Sequence, residues 1–303
     1  MRILVTGSHG LLGQKLTSLL GGGPHELIRT ARAVKSDPDL PGSYYSMDIT
    51  NQNQVEEVIS EAKPEVIIHA AAMTQVDDCE TRRDDCLLNN VTATGYLLEA
   101  SARVGAHFIF VSTDFIFDGS HGPLDETATP GPVNFYGQTK LEAEKLVMKY
   151  TGRWAILRTV LVFGITPGEV RNNIVTWVKN SLEAGKTIRV VNDQWRTPTL
   201  AEDLAMGCLL AAEHQAEGIF NVSGYDMLTP YDMALLVADY FGLDATLIQK
   251  TDGSAFRQTA MRPARTGFII DKARQAWGYA PHSFKEGLKV VAHQLGHPGS
   301  YKG

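Results

Sequence analysis

Short apolar or β-branched runs alternate with longer amphipathic stretches through the first half of the chain. Ile3 to Thr6 precedes Leu11 to Leu20, and Leu27 to Thr30 and Tyr44 to Met47 come next. Val66 to His69 then precedes Asp84 to Val104, and His107 to Ser112 precedes Tyr136 to Tyr150. This rhythm predicts strands joined by helical crossovers, an α/β fold with a parallel sheet. Because crossovers of one hand cover both faces, the sheet should be doubly wound, with ligands at the carboxyl ends of its strands. Past Trp154 to Thr159 the rhythm loosens, and Pro167, Pro198 and Pro230 punctuate shorter elements. The expected division is a main domain over residues 1–160 and a smaller C-terminal lobe over 161–303, with a strand near 218–222 returning to the main sheet.

Composition narrows the partners. Of 303 residues, 44% are hydrophobic, enough for a full core without covalent staples. The 28 basic and 34 acidic residues leave a net charge of -6, which argues against nucleic acid and anionic membranes and leaves small soluble partners. Cys79, Cys86 and Cys208 are odd in number and lack metal-site spacing, so they are expected to be reduced and buried. No run approaches the roughly 18 apolar residues of a membrane span, and Met1 to Val5 leads straight into a strand with no leader-like segment. The expectation is a cytoplasmic protein, without internal repeats and with a frayed tail from His297.

The segment Thr6-Gly7-Ser8-His9-Gly10-Leu11-Leu12-Gly13 sets glycines three apart between the first strand and the first helix. Gly7 permits a tight turn, Gly10 lets the backbone approach a diphosphate, and Gly13 lets the helix pack on the strand. With His9 and Leu11 in the turn and free N–H groups at the helix start, this is a Rossmann-type dinucleotide cradle. An acid about 20 residues on would bond an NAD ribose; here Ile28-Arg29-Thr30-Ala31-Arg32-Ala33-Val34-Lys35 has none. Arg32, with Arg29 and Lys35 as alternatives, suits a 2′-phosphate, so NADPH is the expected cofactor and NADH the second choice. Asp48 and Ile49 follow the strand Tyr44 to Met47, where the carboxylate either meets the adenine or caps the helix starting near Asn51. Ala70, Ala71 and Ala72 either let the cofactor lie against the backbone or serve close packing.

Tyr136-Gly137-Gln138-Thr139-Lys140 places a phenol and an ammonium on one helix face. A lysine near a tyrosine favours the phenolate and brings a group of pKa about 10 toward useful acidity. In Phe110-Val111-Ser112-Thr113-Asp114-Phe115, hydroxyls emerge at the end of an apolar strand. Strand alternation turns only one of Ser112 and Thr113 toward the site. Thr113 is the orienting hydroxyl in this reading, Tyr136 the proton donor and Lys140 its activator.

Taken together, these features resemble the extended short-chain dehydrogenase/reductase family, in particular its dTDP-4-dehydrorhamnose reductase branch. The resemblance covers roughly residues 1–290 and is carried by HAAAMTQVD at 69–77, STDFIFDG at 112–119, NFYGQTKLEAEK at 134–145 and VVNDQWRTPT at 190–199. It implies catalytic roles for Thr113, Tyr136 and Lys140, cofactor contacts from the last two, and diphosphate contacts from Gly7, Gly10 and Gly13. Asn90 takes the place of the family's helix asparagine, and Thr74 and Asp114 fall near the sugar. Three positions depart from the pattern. Phe115 stands where many members have tyrosine, and Val160-Leu161 where Ser-Trp is common. Gln14-Lys15 replaces a glutamate through which some members hold magnesium, so no metal is expected.

In the C-terminal third, Trp195, Arg196 and Arg262 offer an aromatic plane and guanidinium forks for a base and diphosphate, or else stitch loops to the surface. The histidines, such as His69, have no ligand partners at useful spacing and read as core or surface. The leading expectation is NADPH-dependent reduction of a nucleotide-linked 4-keto-6-deoxysugar, dTDP-4-dehydro-L-rhamnose first, by a monomer or homodimer. Asp114-Phe115 lacks the Asp-Glu pair of a dehydratase; an epimerase remains an alternative. A third reading is a binding subunit resembling the regulatory subunit of methionine adenosyltransferase.

Overall fold

The computed structural model describes residues 1–34, 39–166, 173–255 and 259–296; Lys35, Pro167 and the tail from His297 lie outside the described residues. Strands β1 (Arg2–Thr6), β2 (Glu26–Ala31), β3 (Ser43–Ser46), β4 (Val66–His69), β5 (His107–Thr113) and β6 (Trp154–Thr159) enter the main sheet in chain order. Short strands β7 (Val162–Phe163), β8 (Ile188–Val191) and β9 (Thr199–Leu200) follow, then β10 (Gly218–Asn221) and β11 (Ile248–Thr251). The seven-stranded sheet runs β10-β6-β5-β4-β1-β2-β3, and every pairing in it is parallel. This is the doubly wound order with its reversal between β1 and β4, where ligand crevices form.

Alternation along the strands builds two cores. Ile3, Val5, Ile68, Ile109 and Leu157 point to one face, where they meet α1 (Leu11–Gly21) and α8 (Ala201–Glu213) through Leu16, Leu204 and Cys208. Leu4, Ile67, Phe108, Phe110 and Ile156 point to the other. There they meet α2 (Gln52–Ala62), α5 (Ala93–Val104) and α6 (Phe135–Met148) through Ile59, Leu97 and Val147. A parallel sheet covered on both faces needs such unbroken apolar runs.

Two small helices, α3 (Val76–Thr81) and α4 (Arg83–Leu87), lie between β4 and a π-helical turn at Leu88–Thr92 that runs into α5. The single amphipathic stretch expected from Asp84 to Val104 is therefore broken. The lobe has its own core, where Phe163, Val178, Ile188 and Val190 pack with α7 (Ile174–Glu183), α9 (Pro230–Phe241) and α11 (Phe284–Gln294). β11 pairs with β8, and β7 with β9. Although they belong to the C-terminal half by sequence, α8, β10 and α10 (Asp271–Trp277) sit in the main layer, β10 paired with β6.

Candidate active site

The turn after β1 is built by steric necessity. Gly7 has φ 71°, and a Cβ there would lie 3.0 Å from the Ala71 Cα. At Gly13 an added Cβ would meet the Gly7 carbonyl oxygen at 2.2 Å, so α1 and the turn touch backbone to backbone. Gly10 is the N-cap of α1 and its N–H donates to the Gly7 carbonyl at 2.8 Å. No side chain caps this helix, and the buried Ser8 Oγ has no partner among the described residues. Open N–H groups and a cradle closed to side chains fit the diphosphate of a dinucleotide. Leu11 begins α1, and the His9 ring lies parallel to Tyr44, with centroids 5.6 Å apart.

The other residues expected around the cofactor divide. Arg32 is exposed just past the end of β2. Arg29 is 2% exposed and its guanidinium donates to the carbonyls of Leu40 and Gly42 at 3.2 and 3.4 Å, so it braces the β2–β3 connection. Asp48 Oδ1 accepts from the Thr50 N–H and hydroxyl at 3.0 and 2.7 Å, while Asn51 caps α2; Ile49 is buried. Ala70 and Ala71 donate their N–H groups to the Thr6 hydroxyl, both at 3.1 Å, and Ala72 continues the same loop beneath Gly7. His69 is held between the hydroxyls of Thr6 and Thr94 at 2.8 and 3.1 Å, and burial, aided by the Lys140 charge, holds its pKa at about 3. It is a neutral core histidine.

At the end of β5 the reactive side chains converge. The Thr113 hydroxyl donates to Asp114 Oδ1 at 3.2 Å, accepts from the Phe115 N–H at 3.2 Å and acts on the Tyr136 phenol beside it, whereas the Ser112 hydroxyl is buried without a partner among the described residues. Tyr136 and Lys140 share one face of α6, whose N-cap Asn134 accepts from the Gly137 N–H at 2.8 Å. Gly137 carries no Cβ for a reason: one would meet the Phe115 carbonyl oxygen at 2.0 Å. The helix thereby closes on the 3₁₀ turn Asp114–Ile116 that follows Thr113. Burial pushes the Tyr136 phenol well above its ordinary range; the Thr113 hydroxyl opposes this, and Asp114 adds to it. Lys140 donates to the Val111 carbonyl at 2.8 Å over the face of Phe110. Burial brings its pKa down to about 7, with Glu144 acting against the shift. Glu144 is itself paired with Arg158 at 3.1 and 2.7 Å in the interior.

Asn90, placed on the π turn, is 1% exposed. Its Oδ1 accepts from the Met73 N–H at 2.8 Å, and its Nδ2 donates to the Met73 carbonyl at 3.1 Å and the Thr139 hydroxyl at 3.0 Å. It ties the loop after β4 to α6. Thr74 is exposed in that loop.

The two lobe arginines are both engaged within the protein. Arg196 is 3% exposed and donates to the carbonyls of Trp195 and Pro263, each at 2.7 Å, while its Nε lies 3.6 Å from Asp114 Oδ2. A guanidinium so committed is a buried clamp and not an open diphosphate contact. Asp114 accepts from the Thr266 hydroxyl as well, and burial raises its pKa against the pull of Arg196. Arg262 forms a two-pronged pair with Asp77 on α3, at 2.9 and 2.7 Å, so it joins lobe to main domain. Trp195 is half-buried with the Arg265 guanidinium 5.5 Å over its ring.

Sequence reasoning passed over Gly137 and Thr139, although both sit inside the Tyr136–Lys140 motif it used. Cys79 and Cys86, expected to be reduced and buried, are so, and they pack against Tyr136, which their spacing did not signal. Lys15, in the first helix, reaches Glu202 at 2.8 Å. Among the described residues no group of three or more His, Cys, Asp or Glu side chains is placed for a metal, and no helix is long and apolar enough to cross a membrane.

A family model described as the RmlD substrate binding domain matches residues 1–296. A dTDP-4-dehydrorhamnose reductase of Aggregatibacter actinomycetemcomitans is 31% identical over 303 residues, covering 96% of this chain and 98% of that one. The methionine adenosyltransferase 2 subunit beta of Pongo abelii is 31% identical over 255 residues, 81% of this chain and 73% of that one. The crystal structure of the Bacillus anthracis dTDP-4-dehydrorhamnose reductase in complex with NADP superposes with a TM-score of 0.85 at 28% identity, covering 97% of this chain and 99% of that one. With match, fold and the Thr113, Tyr136 and Lys140 arrangement in agreement, the chain belongs to the dTDP-4-dehydrorhamnose reductase branch of the extended short-chain dehydrogenase/reductase superfamily.

Proposed function

We propose that the protein reduces a nucleotide-linked 4-keto-6-deoxysugar with NADPH, most directly dTDP-4-dehydro-L-rhamnose to dTDP-L-rhamnose. The observation that carries this reading is the placing of the buried Tyr136 phenol beside Thr113 at the carboxyl end of β5, with the buried Lys140 one helical turn away on α6. Gly7, Gly10 and Gly13 would hold the diphosphate of NADPH, Arg32 its 2′-phosphate, and Ala70 to Ala72 its ribose side. Bound there, NADPH supplies the hydride. Tyr136 gives its proton to the carbonyl oxygen as the carbon is reduced, and burial keeps the phenol protonated until then. Thr113 directs the oxygen toward Tyr136. Lys140, with a pKa near 7, holds a charge close enough to the phenol to ease departure of the proton. Trp195 and Thr74 stand on the sugar-nucleotide side, and Asp114 shapes that wall from within through Thr113, Thr266 and Arg196.

The Bacillus anthracis relative bound to NADP supports the choice of cofactor, and Arg32 without a competing acid supports the phosphorylated form. Mixing the protein with NADPH and a panel of keto-sugar nucleotides, while following nicotinamide absorbance, tests the reading. Oxidation of NADPH that requires one of these sugars is the expected result. The likeness to methionine adenosyltransferase subunit beta favours a second reading as a binding subunit. No turnover with any sugar, together with tight NADPH binding, would select it.

A further inference from the structure

Two of the three cysteines meet behind the proposed proton donor. Cys79 on α3 and Cys86 on α4 are both free and 0% exposed. They pack with Tyr136, Met73, Val76, Phe115 and Phe135 in one small apolar cluster, and both sulfurs sit at the junction where Asn90 holds the Met73 carbonyl. Cys86 Sγ accepts from Asn90 Nδ2 at 3.3 Å and lies 3.4 Å from the Thr139 hydroxyl; Cys79 Sγ donates to the Met73 carbonyl at 3.6 Å. Nothing in the reduction reaction uses either sulfur. We propose that Cys79 and Cys86 are a modification site: an intramolecular disulfide forms between them on exposure to a small disulfide oxidant and reversibly disables the adjoining active site.

The geometry gives the link a consequence. A disulfide needs an S–S separation of about 2.05 Å, so the two sulfurs must draw together and give up their present partners. Cys79 then releases the Met73 carbonyl. Cys86 moves away from Asn90 and Thr139, the residues that join the loop after β4 to α6. That loop carries Ala70 to Ala72 on one side and Thr74 on the other, and Thr139 lies between Tyr136 and Lys140, donating to the Tyr136 carbonyl at 2.8 Å. Both the cofactor wall and the proton donor are therefore within one contact of the sulfurs.

Access comes through the break between α3 and α4 at Arg82, with φ -124° and ψ 57°. The ion pair that spans it, Arg83 on α4 with Glu80 on α3 at 2.8 Å, has its guanidinium at the surface. Local opening of these helices of six and five residues exposes the sulfurs once Glu80 lets go of Arg83 and of the Phe135 N–H. Cys86 is the attacking sulfur: the Cys79 thiol, and then the hydrogen bonds of Thr139 and Asn90, bring its pKa down to about 7 against the effect of burial. Its thiolate attacks oxidised glutathione and expels one glutathione thiolate, and the deprotonated Cys79 attacks the mixed disulfide and expels the second. Two protein thiols are oxidised, one glutathione disulfide is reduced to two thiols, and the two protons pass to the leaving sulfurs.

The test equilibrates the full chain in glutathione buffers from reducing to oxidising. Peptide mass mapping reads the link, NADPH titration reads cofactor affinity, and keto-sugar reduction reads turnover. The expected result is a peptide joining residues 79 and 86 and a fall in rate on the order of a hundredfold, the scale of lost positioning, restored by dithiothreitol. Cys208→Ser should respond as the parent does. Cys79→Ser, normalised to its own reduced rate, should not respond. The link itself stands apart from the reductase reading, but its effect on turnover rests on that reading. Linking should also weaken NADPH binding, because the loop that carries Ala70 to Ala72 is displaced, and this is read even if no sugar is reduced, so failure of the switch and failure of the reaction assignment are distinguishable. Cysteines 79 and 86 remaining fully alkylatable under oxidising conditions would overturn the proposal, as would a link that leaves both affinity and rate unchanged, or an equal response in Cys79→Ser.

Discussion

A methyl group at Gly137 has nowhere to go, because the Phe115 carbonyl oxygen would lie 2.0 Å from it. Gly137→Ala must push α6 off the turn that carries Thr113, and overpacking of this kind costs about 1–3 kcal/mol. The variant should show a lower urea midpoint and a kcat loss larger than its loss of NADPH affinity; an unchanged kcat would remove Gly137 from the positioning of Tyr136. Lys140 offers a test by pH. Its folded pKa of about 7 lies below the ordinary 10.5, so between these values the unfolded chain holds a proton that the folded protein does not. Lys140 therefore weakens the fold fully below pH 7, and the penalty is relieved as pH rises toward 10.5. Lys140→Met should erase that upward component, read as the pH dependence of the urea midpoint relative to the parent. The spacing of Tyr136 and Lys140 was legible in the sequence because four residues on a helix fix a shared face. The pairing of Arg262 with Asp77 was not, since nothing local connects residues so far apart in the chain.

At the scale of elements, the glycine turn and the strands were readable because each depends on neighbours in sequence. Gly7, Gly10 and Gly13 sit where the first strand meets the first helix, and Ile3 to Thr6 pairs on both sides as a central strand must. The stretch from Asp84 to Val104 read as one helix because its apolar pattern is continuous. In the fold it breaks into α4, a π turn and α5, bringing Asn90 to Met73 and Thr139. Tertiary hydrogen bonds made that choice. Arg29 was an alternative to Arg32 in the sequence, but β2 turns Arg29 into the interior and ends before Arg32. Arg32→Ala should weaken NADPH about ten- to a hundredfold, the value of a charge-assisted hydrogen bond, and leave NADH little changed. Titrating both cofactors into the variant measures this; equal losses would reject the 2′-phosphate contact.

For the molecule as a whole, the active site hangs on a sheet whose interior carries charge as well as hydrocarbon. The Glu144–Arg158 pair joins α6 to β6 with both side chains almost wholly buried. Arg158→Met would leave the carboxylate alone and should cost about 3–5 kcal/mol, seen as a lower midpoint in urea; a shift under 1 kcal/mol, about one salt bridge at a surface, would mean that water reaches the pair. The doubly wound sheet was foreseeable from alternation alone. The strand near 218–222 was expected back in the sheet and pairs there as β10, but the placement of α8 and α10 in the main layer had no local sign, because helical pattern does not say which core a helix joins. These layers exist to hold Thr113, Tyr136 and Lys140 together, and the account stands or falls on Tyr136 as the proton donor. The direct test is single-turnover reduction of the accepted keto-sugar nucleotide by NADPH in the parent and in Tyr136→Phe, after calorimetry has matched their cofactor affinities. The account predicts a rate lower by about a hundred- to ten-thousandfold in the variant; reduction at the parent's rate would contradict it.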